Sequence, residues 1–400
     1  VKMEVERSKT DLNADYRIQY GEQRSHIGLQ YGRDSHNAER FALTPQGARR
    51  NAYRFADIHS DHYHLYYDHY WNITPQHQLS GGISYDREKD SIYMTLNTFT
   101  TMPKTFVASP KDFKWKLYFA RETPIDMSDI EAKIIFYPSK DGTKIPAFIY
   151  HKKGLKMDGN NPVLIDGYGG FNDGIAPSYI GFYRSLLERG VVVVEAGIRG
   201  GDEYGESWHR SGMLDKKQNT FDDFNSCAEW LIREKYTNPT RIAAKGGSNG
   251  GLLMGAVANL APDQFRAIHA DVPFVDALTT ILRPELPLTV GEWEEWGNPI
   301  DSPEIYEYMR SYSPTENVVE AEYPAVLATT SFNDIRVFYV EPTKWVQILR
   351  ERSSNDPIAR PILEQIEMAA GHGGKLGRYD RWDKQSFELA WILDQIGATE

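Results

Sequence analysis

The chain of 400 residues contains a single cysteine, Cys227, so no disulfide can form within it. We interpret Cys227 as a small buried apolar residue rather than a redox group. No run of about 18 apolar residues is present, and such a run is what a membrane-spanning helix needs. The formal net charge of -11 shows that an excess of positive charge is also missing. We therefore expect neither a membrane nor a nucleic acid as partner.

Length and composition indicate two domains, because 400 residues with 40% hydrophobic content can bury more than one core. From about residue 14 to about 120, apolar and polar residues alternate, as in Tyr63, Leu65 and Tyr67. The alternation predicts an all-β region over residues 1–125, in which residues 1–78 match no fold that we can assign. The pattern changes after Pro124.

Residues 126–400 show short apolar strands that alternate with helical segments. The predicted strands are Ala132–Tyr137, Ile145–His151, Pro162–Asp166 and Val191–Ala196, and the predicted helices are Tyr179–Arg189, Phe221–Lys235 and Leu252–Asn259. The last two strands are short and apolar, which is typical of parallel sheets buried on both faces. This half is therefore predicted to be an α/β domain with a mostly parallel sheet and helices on both faces.

A histidine-rich stretch in the β region contains His59, His62, His64 and His69. His62 and His64 would share one face of a strand, where they could bind a metal ion. Alternating histidine and tyrosine are more typical of a hydrated strand face. We therefore predict no metal site here and no cofactor for the protein.

The sequence Gly246-Gly-Ser-Asn-Gly-Gly251 lies between an apolar strand and an apolar helical segment. Such strings also occur in ordinary loops. A G-x-S-x-G turn between a strand and a helix, however, lifts a serine hydroxyl above the sheet, as nucleophilic serines require. Ser248 is therefore the candidate nucleophile, and the backbone N–H of Asn249 is a candidate oxyanion donor.

Two further loops follow apolar segments, where a parallel sheet places its catalytic groups. Asp334 lies in the first loop and His372 in the second, between glycines. A histidine can exchange a proton with the serine, and an aspartate can orient its ring. The order Ser248, Asp334, His372 is that of α/β-hydrolases. Asp276 and His269 are rival candidates.

A glycine-rich loop over residues 166–172 follows another apolar strand and is a candidate for the second oxyanion donor.

Residues 79–396 resemble the prolyl oligopeptidase family of serine peptidases. The resemblance is carried by Tyr137-Pro-Ser-Lys-Asp-Gly-Thr-Lys-Ile-Pro146, Gly167-Tyr-Gly-Gly-Phe-Asn172, Arg199-Gly-Gly-Asp-Glu-Tyr-Gly205, the Ser248 motif and Gly371-His-Gly-Gly374.

The resemblance implies an α/β-hydrolase domain with Ser248, Asp334 and His372 as catalytic triad. It further implies an oxyanion hole made by the Tyr168 phenol and the Asn249 amide. Arg336 matches an arginine that grips a substrate carbonyl. Phe171 and Val337 are expected beside the substrate.

Within the family, the segment around Ser248 resembles prolyl oligopeptidases, whereas later segments resemble oligopeptidase B. The later segments include Leu288-Thr-Val-Gly-Glu-Trp-Glu-Glu-Trp-Gly-Asn-Pro299. Glu292 and Glu294 match acidic residues that the basic-specific branch uses for arginine or lysine. A buried guanidinium needs a carboxylate partner, which supports the assignment. The alternative is that this acidic segment is a solvated loop.

The family's propeller has seven blades, which about 125 residues cannot form. Residues 79–120 resemble its final blade, so the β region resembles an incomplete propeller. We expect a serine peptidase that cleaves short peptides through an acyl-enzyme, after arginine or lysine, in the cytoplasm or the periplasm. A prolyl endopeptidase, an esterase and a truncated, inactive or binding homologue are alternatives. The sequence predicts no oligomeric state.

Overall fold

The computed structural model describes residues 2–20, 23–43, 49–74, 77–86 and 90–399, with side chains for residues 90–399. The chain divides into two compact units, each with its own sheet. The first comprises residues 1–124 with Pro177–Tyr179, and the second residues 125–176 with 180–400. No helix of the described residues is long and apolar enough to cross a membrane.

The first unit contains one antiparallel sheet of seven strands, paired in chain order. The strands are β1 (Lys2–Tyr20), β2 (Gln23–Leu43), β3 (Arg49–Thr74), β4 (His77–Asp86), β5 (Ser91–Asn97), β6 (Lys104–Ala108) and β7 (Lys116–Ala120). The histidines at 59, 62, 64 and 69 belong to β3, but their side chains lie outside the described ones.

The second unit contains an eight-stranded sheet in the order β15-β14-β13-β12-β10-β11-β9-β8. Its strands are β8 (Ile130–Pro138), β9 (Lys144–Lys152), β10 (Val163–Gly167), β11 (Val192–Ala196), β12 (Ile242–Gly247), β13 (Ala267–Asp271), β14 (Ala325–Ser331) and β15 (Ile362–Glu367). Strands β10 to β15 are parallel, and β8 and β9 extend one edge in antiparallel pairing. This is the mostly parallel sheet that the sequence predicts.

Helices lie between the parallel strands and after the last of them. They are α1 (Arg184–Leu187), α2 (Glu206–Arg210), α3 (Gln218–Arg233), α4 (Asn249–Leu260), α5 (Ala277–Ile281), α6 (Thr289–Trp296), α7 (Pro303–Tyr312), α8 (Val340–Arg352) and α9 (Arg378–Gln395). Short 3-10 helices lie at Gly181–Tyr183, Leu214–Lys216, Pro239–Arg241 and Pro314–Asn317.

Side chains of β13 alternate between two helical layers, as the period of a strand requires. Ile268 and Ala270 belong to the apolar core, which also includes α3 and α4. His269 and Asp271 instead meet α9, where they approach Glu388 and Lys384. The sheet is therefore covered on both faces, as predicted for an α/β-hydrolase domain.

The segment predicted as the helix Tyr179–Arg189 is shorter and divided. It forms a 3-10 turn over Gly181–Tyr183 and a single α-helical turn over Arg184–Leu187. Gly181 lowers the local helix propensity. Leu186 and Leu187 are nonetheless fully buried, so packing against the sheet holds this short segment.

Candidate active site

Ser248 occupies the sharp corner between β12, which ends at Gly247, and α4, which begins at Asn249. Its φ and ψ are 57° and -114°, a strained conformation for a residue with a side chain. The Ser248 N–H donates to the Asp271 carbonyl at 2.8 Å, which fixes the corner to β13. A Cβ at Gly246 would lie 2.4 Å from the Gly250 carbonyl oxygen, so only glycine allows this close crossing.

The structure brings Ser248, His372 and Asp334 into one hydrogen-bonded line. His372 Nε2 lies 3.2 Å from Ser248 Oγ, and His372 Nδ1 lies 2.7 Å from Asp334 Oδ2. The Asp334 side chain is fully buried, whereas His372 is partly exposed. A proton on Nδ1, held by the carboxylate, leaves Nε2 free to accept the serine proton.

Asp334 is itself held by the backbone of its loop. Its Oδ1 accepts hydrogen bonds from the N–H groups of Arg336 at 2.8 Å and Val337 at 3.0 Å. One carboxylate oxygen is thereby fixed, and the other faces His372. The loop backbone therefore fixes the orientation of the Asp334 carboxylate relative to the His372 ring.

Tyr168 and Asn249 also come together, because the Asn249 Nδ2 donates to the Tyr168 carbonyl at 2.7 Å. Tyr168 follows β10 and is half-buried. Burial, followed by the negative charges of Asp173 and Glu292, raises its pKa to about 12. The positive charge of Arg336 opposes this shift. The phenol therefore keeps its proton at neutral pH and can donate a hydrogen bond.

The rival residues have other surroundings. Asp276 is buried and forms an ion pair with Lys344. His269 is fully buried, lies 3.1 Å from Thr329 Oγ1, and has its pKa lowered to about 3 by burial. A histidine that stays neutral at all ordinary pH values suits a structural role.

The residues expected beside the substrate differ in exposure. Arg336 and Phe171 are exposed, and Val337 is buried. The Phe171 ring meets the Trp296 ring edge-on, with centroids 5.5 Å apart. Phe171 belongs to the loop of residues 166–172 that contains Tyr168, the Tyr168 loop, and Trp296 packs against it.

Glu292 and Glu294 lie on α6 rather than in a loop. Glu292 is half-buried, its Oε2 accepts from Trp296 Nε1 at 3.0 Å, and burial raises its pKa. Glu294 is exposed and lines a cavity of about 610 Å³ together with Phe171 and Glu295. Of Glu292 and Glu294, only Glu292 has the partial desolvation expected of a charge-selective pocket.

Sequence reasoning missed three residues beside the Tyr168 loop, namely Lys217, Glu295 and His209. Glu295 accepts from the Phe171 N–H at 3.2 Å, and its other oxygen lies 2.7 Å from His209 Nε2. Lys217 donates to the Gly169 carbonyl at 2.7 Å. Glu295 belongs to the acidic segment already noted, but nothing in the sequence distinguishes buried Lys217 from exposed Lys216 beside it.

Among residues 90–399, one group has the composition of a metal site, namely His269, Asp271 and Glu388. Lys384 places its ammonium 2.8 Å from Asp271 and 3.4 Å from Glu388. This ammonium already supplies the positive charge that the two carboxylates require. We therefore interpret the group as a buried ion-pair network.

Comparison with known proteins identifies the family. The profile of the prolyl oligopeptidase family matches residues 178–399, more than half of the chain. This chain belongs to the prolyl oligopeptidase family. Protease 2 of Moraxella lacunata is 41% identical over 272 residues, which cover 68% of this chain and 39% of that relative. Dipeptidyl aminopeptidase BI of Pseudoxanthomonas mexicana is 38% identical over 310 residues, which cover 77% of this chain and 42% of that relative.

A similar fold occurs in oligopeptidase B from Leishmania major. That structure superimposes with a TM-score of 0.75 at 25% identity, covering 97% of this chain and 66% of the other. The α/β-hydrolase fold predicted for this member of the prolyl oligopeptidase family is thus confirmed. The chain spans less than half the length of the two curated relatives.

Proposed function

We propose that this chain is a serine peptidase that hydrolyses short peptides through an acyl-enzyme. The observation that carries the proposal is the hydrogen-bonded line from Ser248 through His372 to Asp334. A buried carboxylate, a partly exposed imidazole and a strained serine in this order form the arrangement that activates a hydroxyl for attack on a carbonyl.

In the proposed reaction, Ser248 Oγ attacks the peptide carbonyl while His372 Nε2 takes its proton. The imidazolium then protonates the departing amine, and the acyl group remains on Ser248 as an ester. Water, deprotonated by His372, releases the acid and restores the serine. Throughout both steps Asp334 keeps Nδ1 protonated and balances the transient positive charge.

Tyr168 and the Asn249 N–H are the proposed donors to the oxyanion. Support comes from the contact between Asn249 Nδ2 and the Tyr168 carbonyl, which joins the two donor-bearing segments. The raised pKa of Tyr168 keeps its hydroxyl protonated. Each such donor typically contributes about 3 kcal/mol to the stability of the transition state.

Labelling with a fluorophosphonate probe tests the nucleophile. Ser248→Ala should lose covalent labelling and peptide hydrolysis, because no other hydroxyl is paired with His372 Nε2 among the described residues. Ser311→Ala, an exposed serine of α7, is the matched control and should label like wild type. Labelling of the Ser248→Ala variant at the wild-type rate would rule out Ser248. Wild type that melts cooperatively and is not labelled would favour an inactive or binding homologue.

We propose further that the enzyme cleaves after arginine or lysine. Glu292 supports this specificity, because its half-buried carboxylate forms no ion pair with the described residues and its charge acts on Tyr168. A basic side chain bound near Tyr168 would supply the missing counterion. Exposed Glu294 would contribute less, since solvent screens its charge.

The specificity is tested with fluorogenic peptides that differ only in arginine or proline before the cleaved bond. We expect the arginine peptide to be preferred, and Glu292→Gln to lower its kcat/KM by about 10- to 100-fold, as the loss of a charged hydrogen bond implies. The same variant should leave hydrolysis of a neutral peptide nearly unchanged. Glu294→Gln should have the smaller effect. A preference for proline would assign the chain to the prolyl branch instead.

A further inference from the structure

The Lys217 side chain is fully buried next to the proposed oxyanion hole. Its Nζ donates to the Gly169 carbonyl at 2.7 Å and to the Asn249 side-chain oxygen at 3.5 Å. Gly169 follows Tyr168, and Asn249 follows Ser248 in the chain. One ammonium therefore contacts both segments that carry the proposed oxyanion donors.

Asn249 completes a closed set of contacts with Lys217. Its Nδ2 donates to the Tyr168 carbonyl, while its side-chain oxygen accepts from Lys217. The ammonium thus orients the Asn249 amide, and the amide holds the Tyr168 backbone. Loss of the Lys217 charge would weaken both contacts together.

Glu295 approaches the ammonium from α6, with Oε1 at 3.9 Å from Lys217 Nζ. The same Oε1 accepts from the Phe171 N–H, and His209 binds the other oxygen. The Trp296 ring centroid lies 4.9 Å from the ammonium. A buried charge is costly unless it is paired, and here a carbonyl, an amide, a carboxylate and a ring share it.

We propose that Lys217 is a positioning residue, which holds the Tyr168 loop against Asn249 and links that loop through Glu295 to α6. The inference rests on the proposed function, because it assigns the oxyanion to the Tyr168 hydroxyl and the Asn249 N–H. Lys217 touches neither substrate nor reacting atoms. It acts on the placement of the two donors.

The pKa of Lys217 links this positioning to pH. Burial lowers the pKa to about 8, and the Glu295 charge opposes the shift. Among the described residues, Glu295 of α6 is the charged group facing the ammonium, and His209 of α2 lies behind it. From α7, Tyr308 meets this segment by accepting from the Gln218 N–H. Above about pH 8 the ammonium becomes a neutral amine, which binds these acceptors less strongly.

Lys217→Met keeps the length of the side chain and removes its charge. We expect kcat to fall about 10- to 100-fold with KM nearly unchanged, because displaced oxyanion donors weaken only transition-state binding. A peptide aldehyde with the same sequence as the substrate should lose affinity by a similar factor, since the oxygen of its hemiacetal adduct with Ser248 would occupy the oxyanion hole. Lys156→Met, at an exposed loop lysine, is the matched control and should behave as wild type.

The pH profile gives readouts that a merely structural role would not move. Wild-type kcat should fall as pH rises past about 8, and this fall should be missing in Lys217→Met. Glu295→Gln should move the fall to lower pH, because the carboxylate that favours the charged lysine is gone. This variant keeps the shape of the side chain, so it tests the idea even if Lys217→Met does not fold.

The outcomes separate this inference from the proposed function. A wild-type protein that is not labelled at Ser248 would overturn the proposed function itself. A labelled wild type together with a folded Lys217→Met variant of unchanged kcat and aldehyde affinity would overturn only the role of Lys217. An alkaline fall in kcat that Glu295→Gln leaves in place would also contradict it.

Discussion

Asp334 shows how a single loop residue is prepared for its task. One of its oxygens is occupied by two backbone N–H groups, and the other faces the imidazole of His372. The backbone donors leave the carboxylate no freedom to rotate away. An amide in its place would keep the shape but lose the charge that fixes the tautomer of His372.

Asp334→Asn should therefore lower kcat by about 10⁴-fold with little change in KM, the size of effect that a wrong histidine tautomer produces in such triads. Steady-state kinetics on the preferred peptide measure this. Asp276→Asn is the control at a buried aspartate outside the hydrogen-bonded line, and should affect stability more than kcat because Asp276 pairs with Lys344. A larger loss of kcat in Asp276→Asn than in Asp334→Asn would exchange their roles.

At the scale of elements, α4 begins against the chain that follows β13. A Cβ at Gly251 would lie 2.3 Å from Pro273 Cα, which is backbone and cannot rotate aside. The next residue of that chain, Phe274, donates its N–H to the Ser248 carbonyl at 3.2 Å. The packing of α4 and the placement of Ser248 therefore depend on the same short segment, Pro273 and Phe274.

Gly251→Ala should lower the free energy of unfolding by about 1–3 kcal/mol, the usual cost of overpacking. It should also lower kcat, because separation of α4 from Pro273 moves Ser248. Gly291→Ala is the control at a helical glycine of α6 where an added Cβ meets no atom within 4 Å. That variant should gain about 0.5–1 kcal/mol. Urea denaturation followed by circular dichroism compares them, and equal stabilities would refute the argument.

Most strands of the second unit and the Ser248 corner could be predicted from sequence, because apolar strands and glycine turns are local signals. Asp334 and His372 could be predicted because parallel sheets place their loops at one edge. The contacts of Lys217 and Glu295 could not, since whether a lysine is buried depends on segments far apart in the chain. No helix is predicted from sequence at α6, where the acidic side chains are interpreted as part of a pocket or, alternatively, as a solvated loop.

At the scale of the whole molecule, the second unit buries several carboxyl groups. Burial raises the pKa of Glu341 to about 8, against the hydrogen bonds that it accepts from Thr280 and Asp276. Burial likewise raises the pKa of Glu195 to about 6. A carboxyl group with a raised pKa binds more protons in the folded protein than in the unfolded one, so its contribution to stability is lost as pH rises.

The window from pH 6.5 to 8 lies just below the pKa of Glu341, where its carboxyl group releases its proton in the folded protein. Below pH 6.5, His269 has the opposite effect, because its pKa of about 3 makes the folded protein bind fewer protons than the unfolded one. Glu195 has largely lost its proton by pH 6.5. Lys217 has an effect opposite to that of Glu341, which starts near its pKa of about 8 and continues at higher pH, because its deprotonation in the folded protein makes stability rise with pH.

The free energy of unfolding of the wild type should therefore fall by about 1–2 kcal/mol between pH 6.5 and 8, since one proton contributes about 1.4 kcal/mol per pH unit. Glu341→Gln should remove most of this fall, because its amide can still meet the Asp276 N–H and the Thr280 hydroxyl without titrating. Urea denaturation followed by tryptophan fluorescence measures both. Glu320→Gln, at an exposed glutamate, should keep the wild-type dependence. If the free energies of unfolding of wild type and Glu341→Gln changed equally with pH, a group other than Glu341 would have to release the proton.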